Sequence, residues 1–313
     1  MLRSEGIPLL KLSAILTLIL LTAACASSPP SPAQPTTAPE QPTAASDTAS
    51  VSQSAGVPSN PNGEALVAQV NGEGITQADF EQMLARTQEQ IAIADPAALQ
   101  TAVLDTMIEQ TLIEQAATAE NVIISDADLE SEYQANRALV ESDAAWQQWL
   151  AENKFTEEQF RQSLRETLIA GAMRDRITQD IPASVTHIHA RHILVDTEAE
   201  ALDALSRLQN GEDFATLAAS LSKDVTTREQ GGDLGWFVEG ELLEPVLTQV
   251  SQSLGDGQIG GPVATRLGYH IIQKMGSEQR ELTPEKRAML AQYRFEDWLR
   301  GLTFDAMIER YLP

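Results

Sequence analysis

From Leu66 onward, apolar positions recur with two different periods, and the changes of period divide the chain. Leu66-Val-Ala-Gln-Val70 followed by Asn71-Gly72 reads as a strand and a turn, and Thr76-Gln-Ala-Asp79 opens a helix with a capping box. Asp95-Pro96 starts a long helix with proline at its first position and Asn121 at its end; Leu99, Val103, Met107, Ile108 and Leu112 make its apolar stripe. Ser125-Asp-Ala-Asp128 and Thr156-Glu-Glu-Gln159 are further capping signatures, and Trp146, Trp149, Phe155, Phe160 and Leu164 mark the packed sides of the helices around them. Residues 64–182 therefore read as a nearly all-helical domain, ended by Ile181-Pro182.

Between 183 and 277 the two periods alternate. Ile188, Ala190, His192 and Leu194 share one side of a predicted half-buried strand, with His187, His189 and Arg191 on the other, so His192 faces inward. Thr197–Leu208 carries Ala201, Leu202, Leu205 and Leu208 at helical spacing and stops at Gly211, and Asp213 is the N-cap for Phe214–Leu221. A loop with Asp224 leads to Gly231-Gly232. Leu234–Phe237 and Gly268–Lys274 read as strands, Leu242–Val250 as a helix and Gly255–Gly261 as turns. The order β-α-α-β-α-β-β is that of a compact α+β unit. Residues 278–313 follow as C-terminal helices: Thr283-Pro284 restarts a helix with Met289, Tyr293, Trp298 and Leu299, and a last turn holds Phe304, Met307, Ile308 and Leu312. Periodicity fixes which face of these helices is buried but not against what, so both the helical domain and the α+β unit remain open as partners.

A chain of 313 residues, 42% of them hydrophobic, is long enough for two domains and a tail. The net charge of −24 argues against nucleic acid, which wants a basic stripe, and favours solubility. Residues 1–25 have the form of a signal peptide, with Arg3 and Lys11 before a short apolar run ending at Leu21. Thr22-Ala-Ala-Cys25 resembles a bacterial lipobox, which implies lipidation of Cys25, the sole cysteine; an ordinary secretory cleavage near the alanines is the alternative. Residues 26–63, rich in Pro, Ser, Thr and Ala, read as a disordered tether.

All four histidines lie between 187 and 270. Inward histidines on strands can be ordinary satisfied core residues, and Asp224 can be a simple loop cap. His187 and His189 would need a third ligand and supporting groups to hold a metal, and the Gly255–Gly261 run lacks the Lys-Ser/Thr of a phosphate loop. No metal or nucleotide cofactor is implied.

Six runs nevertheless carry a resemblance: H-I-L-V at 192–195, G-E-D-F-x-x-L-A at 211–218, S-x-D at 222–224, G-G-D-L-G-W-F at 231–237, G-P-V at 261–263 and G-Y-H-I-I at 268–272. In this order they resemble the parvulin family of peptidyl-prolyl cis-trans isomerases, over about 90 residues. V-N-G-x-x-I-T at 70–76 and the L-I-E-Q helix are similar to the N-terminal domain of SurA-type chaperones, so the whole layout resembles the SurA/PrsA-like extracytoplasmic foldase lipoproteins. The resemblance implies a small central sheet flanked by helices, joined to a helical SurA-like chaperone domain on which the C-terminal helices, 278–313, pack. It makes His192, Asp224 and His270 the catalytic cluster, and places Leu234, Leu242, Val246, Thr265 and Leu267 around the substrate. Val246 stands where the family usually has an aromatic residue, and Leu267 where a small polar one is common. The implied partners are unfolded or nascent exported polypeptides with X-Pro bonds, and the membrane through lipidated Cys25. Some parvulins select a phosphorylated residue through a basic cluster after the first strand; here Asp196-Thr-Glu-Ala-Glu200 would repel phosphate. A holdase chaperone with a weak or inactive parvulin domain is the alternative reading.

Overall fold

The computed structural model describes residues 58–90 and 95–312, which fall into two units. One comprises the described residues up to Met173 together with those from Leu299 onward; the other is Arg174–Trp298. The expected boundaries at 182/183 and 277/278 thus lie inside the second unit, whose own ends fall within the helices Glu157–Thr178 and Pro284–Asp305. Cys25, the signal peptide and most of the tether lie outside the described residues.

The first unit is built on helices, with one small sheet. Strand β1 (Leu66–Val70) pairs antiparallel with β2 (Glu73–Thr76) through the Asn71-Gly72 turn. Helices α1 (Gln77–Gln90), α2 (Pro96–Ala119), α3 (Asp126–Arg137), α4 (Asp143–Glu152) and α5 (Glu157–Thr178) follow. Capping residues set the starts: Asp95, Ser125 and Ser142 each accept a backbone N–H of the first turn. Such caps contribute about 1 kcal/mol each. α2 buries Leu99, Val103, Leu104, Ile108, Leu112 and Ile113, a wider band than the expected stripe, and leaves Met107 half-buried. Leu129, Tyr133, Trp146, Leu150, Phe155, Phe160 and Leu164 form a second core among α3, α4 and α5.

Two expectations fail here. The final turn is not helical: Ile308–Arg310 is a strand, β7, paired antiparallel with β1 so that the sheet order is β2-β1-β7. Its backbone satisfies that of β1, and Arg310 pairs with Asp105 at 2.6 Å, while Phe304 is left 89% exposed. The tether expected to run to residue 63 is structured at its end, where Ser59 bridges Ala65 and Leu66 donates to the Pro58 carbonyl.

The second unit holds a four-stranded antiparallel sheet in the order β4-β3-β6-β5, formed by β3 (Ser184–Val195), β4 (Asp233–Phe237), β5 (Ile259–Thr265) and β6 (Gly268–Glu281). Helices α6 (Glu198–Gln209), α7 (Phe214–Leu221) and α8 (Pro245–Ser253) complete it. β3 is not half-buried as its alternation suggests. Ile193 and Val195 pack with Ile271 under α6 and α7, while Ile188 and Ala190 pack with Ile272 and Leu247 of α8. Both faces are covered because the hydrophobic run Ile193-Leu-Val195 supplies a second apolar side. Ile259–Gly261, expected as turn, is the start of β5, and α8 begins at Pro245 instead of Leu242, where proline fits the first turn. Helix α9 (Pro284–Asp305) begins in this unit: Lys286 pairs with Glu241 at 2.9 Å, and Tyr293 lies against Gly240.

Candidate active site

In the sheet of the second unit, β3 and β6 are the two central strands. Their register sets His192 opposite Ile272 and His270 opposite Leu194, so the two histidines are diagonal neighbours on one face. That is the face covered by α8. The rings stack with centroids 5.2 Å apart, and the two Nδ1 atoms are 3.1 Å apart.

Asp224 arrives from the loop after α7, and the main chain fixes that loop to the end of β3. Lys223 donates its N–H to the Leu194 carbonyl at 2.7 Å, and Ser222 Oγ accepts from the Leu194 and Asp224 amides. The carboxylate is thereby held with Oδ2 2.8 Å from His192 Nε2. Thr226 and Thr227 donate their hydroxyls to its two oxygens at 2.6 Å each. On the other side, Thr265 Oγ1 is 3.0 Å from His270 Nε2 and accepts the Leu267 N–H at 3.1 Å. The close passage of backbone beside His192 requires glycine. Gly232 has φ +81°, and a Cβ there would stand 2.0 Å from the His192 carbonyl oxygen.

These contacts impose a direction. A carboxylate only accepts, so His192 carries a proton on Nε2 toward Asp224, and the neutral form of its ring has a bare Nδ1. With that form of His192, His270 donates from Nδ1 and its Nε2 faces the Thr265 hydroxyl, which also lies 3.3 Å from the Gly268 carbonyl. In that form one polarity runs from His270 through His192 to Asp224. Electrostatics agree with neutral imidazole at His270, where burial and then the nearby charge of His192 push its pKa down to about 4. For Asp224, burial alone would raise the pKa, but hydrogen bonds from Thr226, Thr227 and His192 outweigh it and hold the carboxyl well below the usual range.

The structure brings His192, Asp224, His270 and Thr265 into one network. Leu234, Leu242 and Val246 pack half-buried against the cluster of Ile188, Ala190, Phe237, Leu247, Val263 and Ile272, on the histidine face. Leu267 stands apart from them: it is 52% exposed on the turn between β5 and β6, and its backbone N–H donates to Thr265 Oγ1. Sequence reasoning quoted Ser222 only within the S-x-D run and missed Thr226 and Thr227. The signal was available, since hydroxyls two and three residues after an aspartate are the pattern of an Asx turn. His187 is buried with Nδ1 3.2 Å from the Val185 carbonyl, and His189 bonds Asp233 at 2.7 Å beside the Trp236 ring. Among the described residues, no group of three or more His, Cys, Asp or Glu side chains could hold a metal ion.

Comparison with known proteins matches the same stretch. Residues 189–276 match the family described as the PPIC-type PPIASE domain, and residues 49–174 the SurA-like N-terminal domain. The foldase protein PrsA of Caldanaerobacter subterraneus is 32% identical over 241 residues, covering 67% of this chain and 73% of that protein. The chaperone SurA of Xanthomonas euvesicatoria is 39% identical over 124 residues, 37% of this chain but only 27% of SurA. Among solved structures, PrsA of Bacillus anthracis is similar with 28% identity and a TM-score of 0.41, covering 64% of this chain and 93% of that one.

Proposed function

Because this chain belongs to the foldase PrsA family and carries a parvulin-type peptidyl-prolyl isomerase domain beside a SurA-like domain, we propose that His192, Asp224 and His270 form its catalytic floor and that its substrates are unfolded exported polypeptides. The supporting observation is the continuous series of hydrogen-bond contacts that joins Thr265, His270, His192 and Asp224. Rotation about an X-Pro bond meets a barrier of about 18–20 kcal/mol set by amide resonance, and no bond is made or broken. A site lowers that barrier by excluding water from the amide and favouring its twisted, unconjugated form. Leu234, Leu242 and Val246 supply the apolar wall for the proline ring, with Thr265 and Leu267 at the rim.

The histidines need not transfer a proton. His270, kept neutral by burial, and His192, fixed by its bond to Asp224, present preset polar groups beneath the amide and cost no reorganisation when it twists. Substrates need no phosphate: Asp196, Glu198 and Glu200 stand where a phosphate would dock, and Lys223 is already paired with Asp196 at 2.9 Å. We place the enzyme outside the cytoplasm, tethered by lipidated Cys25, on the strength of its first 25 residues. A protease-coupled assay on the full chain with an Ala-Pro peptide tests the catalytic reading. Measurable isomerisation that disappears in Asp224→Ala and His270→Ala supports it; a wild-type protein that only suppresses aggregation leaves a holdase.

A further inference from the structure

In the first unit, β2, α1, α2 and α5 line an open cavity of about 250 Å³ that the isomerase chemistry does not use. Its apolar lining comes from Ile75, Met83 and Met107, and three acidic residues border it: Asp79 of α1, bonded to Thr76, and Glu114 of α2 and Glu166 of α5. The two glutamates are each hydrogen-bonded only to a neutral amide on the same helix: Gln110 donates to Glu114 at 2.9 Å and Gln162 to Glu166 at 3.0 Å. Arg86 borders the same space, yet its guanidinium is committed elsewhere. It lies 3.7 Å over the Phe155 ring and donates to the Lys154 carbonyl and to Gln159 at 3.1 and 3.3 Å. Among the described residues, no Lys or Arg stands within ion-pair distance of either carboxyl.

Partly buried carboxyls with no cation bonded to them are unfavourable as anions, and the protein answers by retaining protons. Burial pushes the Glu166 pKa up to about 7; Glu114 and Asp79 add to the rise, and Gln162 and Arg86 oppose it. Glu114 is raised as well, again chiefly by burial. The volume is below the roughly 300–1,000 Å³ of a pocket for a whole small molecule, and suits one long side chain. Methionines adapt to a variable aliphatic stem. The chain's net charge of −24 draws basic segments toward it.

The geometry points to a second binding site, in which this cavity takes a lysine or arginine side chain of an extended, unfolded polypeptide, methylenes against Ile75, Met83 and Met107 and the cationic head at Glu114 and Glu166. Entry of the cation converts protonated Glu166 to carboxylate and releases its proton to solvent, so affinity rises with pH between 6 and 8. Client capture in this unit is then selective for basic segments and weakens on acidification.

The test uses the full chain and proline-free peptides, which do not engage the isomerase site. Acetyl-Gly-Ala-Lys-Ala-Gly-amide and its norleucine counterpart are titrated while the Met83 and Met107 methyl resonances are followed. The lysine peptide is expected to bind about tenfold tighter than the norleucine peptide at pH 8, with the preference falling to about twofold in Glu166→Gln. Glu114→Gln is the second variant, and the lysine–norleucine comparison needs no variant at all. Equal binding of the two peptides, no shift at either methionine, or an undiminished preference in both variants would overturn the proposal. So would n-butylammonium binding as tightly as the lysine peptide, which would make the site one for small amines.

Discussion

On one face of the isomerase sheet, buried polar groups are joined in series: Thr265, His270, His192 and Asp224 each satisfy the next, and Thr226 and Thr227 close the end. The core among α3, α4 and α5 is made the other way, from Tyr133, Trp146, Trp149, Phe155 and Phe160 packed edge-to-face or stacked at centroid distances of 5.1–6.4 Å. Directional bonds specify one arrangement of protons, and loss of one member leaves its neighbours unsatisfied. Aromatic packing is far less directional, and loss of one ring leaves a hole that its neighbours partly close. The first kind of core governs a reaction; the second governs whether the unit stays folded.

The largest expected effect breaks the aromatic core alone. Trp146→Ala should destabilise the helical unit by about 3–5 kcal/mol in urea titrations followed by hydrogen exchange, with the isomerase rate unchanged. A rate that falls in step would show that the two kinds of core are not independent. Asp224→Ala or His270→Ala should do the reverse, lowering kcat/KM by roughly 10- to 100-fold, or about 1.4–2.7 kcal/mol, while aggregation suppression persists.

Acid should drive the units in opposite directions. His270 titrates near 4 when folded against an ordinary 6.5, so between those values the unfolded chain binds more protons and stability falls as pH falls. The lowered Asp224 pKa extends that loss below its ordinary 3.8. Glu166 titrates near 7 against 4.5, so the folded state holds more protons in that window and acidification from 7 to 4.5 stabilises the helical unit. Hydrogen exchange at pH 7 and pH 5, resolved by unit, checks the two signs; parallel changes would refute them.

Smaller effects sharpen the polar side. Thr265→Val removes the hydroxyl that faces His270 Nε2 and should cost about 1 kcal/mol in the stability of the isomerase unit. Val246→Phe should raise kcat/KM about threefold by filling the wall of the proline pocket, and an unchanged or lower rate would show that Val246 does not touch the substrate.

Much of this was legible in the residues. Alternation around His192 put it inward, capping signatures at Ser125 and Thr156 located helix starts, and the aromatic positions from Trp146 to Phe160 marked a core. Other features were not. Ile308–Arg310 is too short to distinguish a strand from a final helical turn by pattern, and only pairing with β1, some 240 positions away in the chain, makes it a strand. Leu267 fits the family's spacing for a pocket residue, but the turn that carries it leaves its side chain half in solvent.

Local order was written in the chain: period, cap, turn residue and the identity of the groups that could carry chemistry. Those depend on neighbours a few positions apart, whose steric and hydrogen-bonding demands are the same in any surrounding. Tertiary structure alone decided that β3 and β6 lie side by side in the register that makes His192 and His270 diagonal partners, and that the loop after α7 delivers Asp224 beneath them. It also left Glu114 and Glu166 facing one cavity from two helices. Shifts of a few ångströms across long loops decide such meetings, and no periodicity encodes them.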